Sequence, residues 1–203
     1  IEAYIRLGPY ALKNAGAVMQ RQQLSLYTLF PKQEVRSPGE KLTVPVAYYT
    51  LATFIPLSLV ARSPNPAFRA ANGQFMMLDS RQYLLHQWHQ QVRHHQVEDM
   101  AIMEALKKKG LTVAAHLTHE HMSCRMYTSF REAVQGFSKN FRAFYADSWV
   151  FMGFFLVFGI IAPLLLVIPF PAEAGLLLSA EVLGVRLLAA RLLGYCQREA
   201  VLL

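Results

Sequence analysis

Residues Trp149–Ile168 read WVFMGFFLVFGIIAPLLLVI, an unbroken run of 20 residues without a charge. At a helical rise of about 1.5 Å per residue, such a run matches a hydrocarbon core of about 30 Å, so it constrains the chain more than any other feature. A transmembrane helix over 149–168 is the expectation. Pro163 removes one backbone donor inside the run, which membrane helices tolerate, and Pro169 and Pro171 then end it. A second apolar stretch, Ala174–Leu193, carries Glu181, Arg186 and Arg191. Each charge at mid-bilayer costs about 2.5–3.5 kcal/mol on the insertion scale. It predicts either a second span within 174–195, its charges facing protein or the interface, or an amphipathic surface helix.

Arg131, Lys139 and Arg142 precede the first run, the turn PFPAEAG after it holds no Lys or Arg, and Arg191 and Arg198 follow the second. By the positive-inside rule, residues 1–148 then face the cytoplasm of a multi-pass membrane protein. An earlier apolar run, Leu42–Val60, is interrupted by Pro45 and Pro56 and contains Tyr48 and Tyr49. Aromatic rings favour the headgroup level, so an interfacial or re-entrant element is expected near 42–60, with a third span as the alternative. The chain of 203 residues is 54% hydrophobic with a net charge of +7, a balance that suits contact with anionic membrane lipids. The basic residues are spread along a chain with a membrane run, which argues against nucleic acid. Only two cysteines occur, without a Cys-x-x-Cys spacing, so neither a disulfide framework nor a cysteine zinc site is available.

The segment between the apolar runs reads as α/β. Gly73–Leu78 is a short apolar run after the turn dipeptide Asn72-Gly73 and predicts a buried strand. From Val97, the residues Met100, Ala101, Ala105 and Leu106 recur at helical spacing. Glu98 and Asp99 stand in the first turn, Lys107–Lys109 in the last, and Gly110 is the stop. These charges complement the helix dipole at both ends. Leu111–Leu117 reads as the next strand. Ser129 and Glu132 then have the spacing of a capping box opening a helix, and Phe130, Val134, Phe137 and Phe141 line one face of it. With Arg131, Lys139 and Arg142 interspersed, that helix suits either an anionic leaflet or an ordinary domain surface.

Two features offer chemistry. The Glu98-Asp99 pair at a helix start is either a cap or a carboxylate poised as a general base. Arg125, on a loop after a strand and beside Tyr127, can pair through its planar fork with a phosphate, a lipid headgroup or an acidic neighbour. Seven histidines form a rival cluster, His86, His89, His94 and His95, then His116, His119 and His121. Zinc can use such spacing, but the surrounding Gln and Arg residues read as an exposed polar surface. No Gly-x-Ser-x-Gly elbow, Walker loop or Gly-x-Gly-x-x-Gly is present.

In order, Asn72-Gly73-Gln74-Phe75, then Val97-Glu98-Asp99 with Ala105-Leu106-Lys107 and Gly110, then Cys124-Arg125-Met126-Tyr127 and Gly136-Phe137-Ser138-Lys139-Asn140 stand before the apolar pair. This ordered set resembles the C-terminal half of membrane-associated glycosyltransferase family 2 enzymes, in particular the group that includes carotenoid glycosyltransferases. The resemblance covers roughly residues 15–195.

It implies the C-terminal part of a glycosyltransferase type A (Rossmann-like) domain followed by transmembrane helices. The implied activity is inverting transfer of a sugar from a nucleotide-sugar donor to a lipidic or membrane-bound hydroxyl acceptor. By position, Asp99 matches the catalytic base, accompanied by Glu98. Arg125 matches the arginine of the family's Gln-x-x-Arg-Trp region near the donor diphosphate. Tyr127, Asn72 and Gly73 fall in the donor or acceptor region. Met122 and Met126 stand where that motif has Gln and Trp. A divalent metal, Mg or Mn, is implied on an Asp-x-Asp motif, yet the aspartates here are Asp79, Asp99 and Asp147 alone. No metal ligand is therefore assigned in this chain, which is expected to be a fragment inactive by itself. The alternative is a non-catalytic membrane anchor or assembly module in which Glu98 and Arg125 only cap and pair.

Overall fold

In Leu26–Gln33 (LYTLFPKQ) every residue but Lys32 is buried, as expected of a strand covered on both faces of a sheet. This is β2 in a computed structural model of the protein, which describes residues 5–45 and 57–144 together with Gly153 and Gly184. Among these residues the order is β1 (Ile5–Leu7), α1 (Ala11–Gln22), β2, a helical stretch at 38–45 (α2), α3 (Leu57–Arg62), β3 (Met76–Leu78), α4 (Ser80–His86), α5 (Trp88–Val92), α6 (Glu98–Lys108), β4 (Val113–Cys124) and α7 (Phe130–Phe144).

The fold is mixed α/β, with one four-stranded sheet in the order β1-β4-β2-β3. β2 and β4 are parallel, from Leu26↔Val113 to Gln33↔Cys124, while β1 and β3 close the edges antiparallel. The register of the parallel pair jumps after Pro31↔Thr118 to Lys32↔Ser123. Proline has no amide to give the ladder, so an irregularity is expected at this position.

Alternation along β2 and β4 divides the core between two faces. Leu26, Phe30, Val113 and Ala115 pack with Val60, Trp88, Val92, Ile102, Met103 and Leu106 on one side. On the other, Tyr27, Leu29 and Ala114 pack with Ala11, Ala15 and Phe75. Helices α3, α5 and α6 thus cover one face and α1 the other, which is the layering of an α/β domain. Lys107 is buried among them, and its ammonium donates to the Ser63 carbonyl at 2.6 Å, which ties α6 to the turn after α3. Burial pushes its pKa down.

Helix α6 and its stop agree with the sequence, Gly110 taking a φ of +72° that glycine accommodates without a Cβ clash. Two strand boundaries differ. β3 starts only at Met76, because residues 72–75 form a turn in which the Asn72 side chain accepts the Gln74 amide at 3.0 Å and the Asn72 carbonyl accepts the Phe75 amide at 3.1 Å. β4 runs on past Leu117 to Cys124, where Leu7↔Met122 and Ile5↔Cys124 pair it with β1. The cap of α7 differs as well: Ser129 Oγ accepts the Glu132 amide at 3.3 Å, but Glu132 reaches back to Thr128, accepting its amide and hydroxyl at 2.8 Å each.

Among the described residues no helix is long and apolar enough to cross a membrane. The runs at 149–168 and 174–195, apart from Gly153 and Gly184, and the middle of 42–60 lie outside the described residues.

Candidate functional site

Parallel strands β2 and β4 both finish at one end of the sheet, at Gln33 and Cys124, and polar side chains gather around that end in two groups. Open α/β sheets bind ligands beyond the carboxyl ends of their strands, so this edge is the candidate site.

The first group is built on the 72–75 turn. Thr28, buried in β2, accepts the Asn72 amide at 3.0 Å and donates to the Phe75 carbonyl at 2.9 Å. Gln74 Oε1 accepts Gln33 Nε2 at 3.0 Å and Asn72 Nδ2 at 3.3 Å. The turn so held presents its Gly73 amide to Asp99 Oδ2 at 2.7 Å, while Asp99 Oδ1 accepts the Met100 amide at 2.8 Å. Asp99 is half-buried and Glu98 is exposed. The approach of Gly73 to Asp99 does not itself require glycine, since a methyl there would stand 3.5 Å from Oδ2. Gln74 Nε2 is buried and has no acceptor among the described residues. An orphaned buried donor costs about 1–3 kcal/mol.

The second group is centred on Glu40, a fully buried carboxylate on α2. Arg125 follows directly on β4 and grips it with two bonds, Nη2 to Oε1 at 2.8 Å and Nε to Oε2 at 3.2 Å. The Arg36 amide at 2.8 Å, the Ser37 amide at 3.2 Å and the Ser37 hydroxyl at 2.8 Å complete the set. Led by the Arg125 guanidinium, these donors pull the Glu40 pKa from 4.5 down to about 2. Reciprocally, Glu40 pushes the Arg125 pKa up. Beside them Glu34 accepts the Ser123 hydroxyl at 2.9 Å and pairs with Arg36 at 3.2 Å, and these hydrogen bonds pull its pKa down.

Asn72, Gly73 and Asp99 are therefore brought together from 26 residues apart. Arg125 belongs to the other group, where its bidentate partner is the acidic neighbour Glu40. Tyr127 packs edge-on against Phe137, ring centroids 5.1 Å apart, and lies over Gly136, where a side chain would collide with it. Glu40 is the site residue that sequence reasoning missed. Its signal was Ser37-Pro38-Gly39-Glu40, a capping box with proline at the first helical position, and the box forms in both directions, with the Glu40 amide donating to Ser37 Oγ at 3.3 Å.

Three of the histidines make local contacts. His116 Nδ1 bonds Tyr27 Oη at 3.0 Å, His89 Nδ1 bonds Tyr83 Oη at 2.9 Å, and His86 stacks against Trp88. Among the described residues no three His, Cys, Asp or Glu side chains converge as a metal site, and both Asp99 oxygens accept backbone amides. The donor set described does not fit a divalent-metal centre. Comparison with protein-family models, with curated proteins and with solved structures finds no match.

Proposed function

We propose that this chain carries the acceptor-side part of an inverting, membrane-associated glycosyltransferase of family 2, with a type A fold and Asp99 as general base. The observation that carries the reading is the Asp99 carboxylate, pinned by the Gly73 and Met100 amides at the edge where β2 ends. In the reaction, the acceptor hydroxyl gives its proton to Asp99 as its oxygen attacks the anomeric carbon. The bond from that carbon to the donor diphosphate breaks, and the nucleoside diphosphate leaves with the electron pair. Amide anchoring leaves this chemistry open, because each carboxylate oxygen can accept more than one hydrogen bond. It also fixes the angle at which the proton is met.

The implied Mg or Mn has no donor set among the described residues, and no step above draws on one. On this reading the donor-binding half, with its Asp-x-Asp, is supplied by other polypeptide. Arg125 stands at the same sheet end with its fork on Glu40, so a diphosphate there shares the guanidinium with a carboxylate. That pairing favours a second reading, an anchor or assembly module in which these residues serve the fold alone.

The test is sugar transfer by membranes carrying the chain extended by its upstream coding sequence, assayed with a panel of nucleotide-sugars and hydroxylated lipids. Asp99→Asn removes the proton acceptor with almost no change of volume, and transfer should fall about 10²- to 10⁴-fold with donor binding retained. A variant within about threefold of the parent, far short of a lost general base, overturns the enzymatic reading in favour of the module.

A further inference from the structure

Between the buried apolar residues Leu26, Tyr27, Leu29 and Phe30 of β2 stands one buried hydroxyl, that of Thr28. A valine would fill the same space in a strand, so what distinguishes threonine here is the bonds its oxygen makes. All of them go to one turn. Thr28 Oγ1 accepts the Asn72 amide at 3.0 Å and donates to the Phe75 carbonyl at 2.9 Å, with the Asn72 carbonyl at 3.2 Å. One hydroxyl thus spans the turn from its first residue to its last.

Bonds inside the turn give it a shape, and bonds from outside give it a place. The inside bonds are those of the Gln74 amide to the Asn72 side chain and of the Phe75 amide to the Asn72 carbonyl. From outside, the Phe75 carbonyl is shared by Thr28 and the Leu29 amide, which donates to it at 3.2 Å. Upstream, the chain follows α6: the Lys107 ammonium donates to the Ser63 carbonyl, Arg69 pairs with Glu104 at 3.0 Å, and the Ala71 amide donates to Met100 Sδ at 3.4 Å. A thioether sulfur is a weak acceptor. Among the described residues, the strong bond nearest Gly73 on that side is therefore the one from the Asn72 amide to Thr28. Gly73 follows directly, and its amide meets Asp99 Oδ2 at 2.7 Å.

We infer that Thr28 is a positioning residue for the Asp99 carboxylate, acting through the turn: its hydroxyl fixes Asn72, and Asn72 sets the Gly73 amide against Oδ2. The catalytic part of this inference rests on the general-base reading above; the linkage of the three residues does not.

The experiment uses the full chain in detergent micelles. Asn72-Gly73 is the one Asn-Gly dipeptide of the sequence, and Ala71-Asn72 is the one Ala-Asn. Carbonyl-13C in the first residue type and amide-15N in the second therefore isolate the Gly73 and Asn72 amides as single NMR signals. In Asp99→Ala, the Gly73 proton should move upfield and its exchange with solvent should quicken at least about tenfold, as loss of a hydrogen bond to a charged group requires. Thr28→Val keeps the shape and removes the hydroxyl; it should move the Gly73 signal in the same direction and quicken its exchange at least about tenfold, and Thr28→Ser should restore both. A Thr28→Val chain of lowered stability that keeps the parent's Gly73 shift and exchange overturns the inference, because the threonine then serves the fold alone. If Thr28→Val does not fold, the parent chain decides. Equal protection of the Asn72 and Gly73 amides supports the linkage, and a Gly73 amide that exchanges freely beside a protected Asn72 overturns it. In the transfer assay described above, Thr28→Val should lower kcat by about 10- to 10²-fold at unchanged donor KM, with Thr28→Ser restoring it. Unchanged kcat with the Gly73 signal displaced overturns the positioning role. A parent without transfer defeats the proposed function and leaves the linkage to be judged on the NMR signals.

Discussion

Glu40 and Asp99 are two carboxylates at one end of one sheet, and they are held in opposite ways. Glu40 is fully buried and takes a cation, two amides and a hydroxyl. Asp99 is half-buried and accepts two backbone amides, Gly73 across a turn and Met100 in its own helix. A buried charge whose partner is another side chain cannot leave without stranding that partner, so Glu40 is a tether. A half-exposed carboxylate aligned by amides keeps its orientation while water or substrate can reach it, which is what a general base requires. Under the proposed function chemistry falls to Asp99 and architecture to the Glu40–Arg125 pair, although Arg125 is the residue with the planar fork.

Glu40→Ala gives the largest expected loss. It leaves the Arg36 and Ser37 amides and the Arg125 fork without an acceptor. Because Arg125 remains one-third exposed and regains water, the cost should be about 3 kcal/mol, the lower end for a broken buried pair. Chemical denaturation in detergent, followed by circular dichroism, measures it. A loss as small as that of an ordinary surface change would make Glu40 and Asp99 alike and break the distinction.

The same tether sets an acid limit. The folded-state pKa of Glu40 is about 2 against an ordinary 4.5. A depressed carboxylate stabilises fully above its unfolded pKa, and that stability is lost as pH falls through the folded value. Stability should therefore decline between about pH 4.5 and pH 2, with Glu40→Gln flattening this part of the profile. A parent and variant with parallel acid profiles would remove Glu40 as the cause.

Gly39→Ala comes next. Its methyl would meet Phe130 backbone at 2.8 Å, which cannot yield as a flexible side chain would, and overpacking of this kind costs about 1–3 kcal/mol. Smallest is Asp99→Asn, whose amide oxygen can still accept the Gly73 N–H while its NH2 leaves the Met100 N–H without its acceptor, so stability should fall by about 1 kcal/mol. A large stability loss in Asp99→Asn would make it a second tether and turn any loss of transfer into a folding effect.

What was legible is local. The α6 boundaries, the acids in its first turn and the stop at Gly110 follow from spacing and backbone preference within a dozen residues. Arg125 on a loop after a strand belongs to the same category, although the sequence reading ends that strand at Leu117 and its extension to Cys124 depends on pairing with β1, which polar sequence does not announce. The two capping boxes show the limit of motif reading. Ser37–Glu40 forms in both directions, and in Ser129–Glu132 the carboxylate moves one residue back, to Thr128. Spacing permits either geometry, and the chain entering the helix selects one.

By itself the sequence determined the apolar runs, the position of α6 and the order of the candidate residues along the chain, because each depends on near neighbours or on composition within a window. Tertiary structure alone decided that Arg125 meets Glu40, 85 residues away, and that the Gly73 amide meets Asp99. A guanidinium pairs with whichever anion lies within about 3 Å and shielded from water, and that distance exists only after β2 and β4 have come together in parallel.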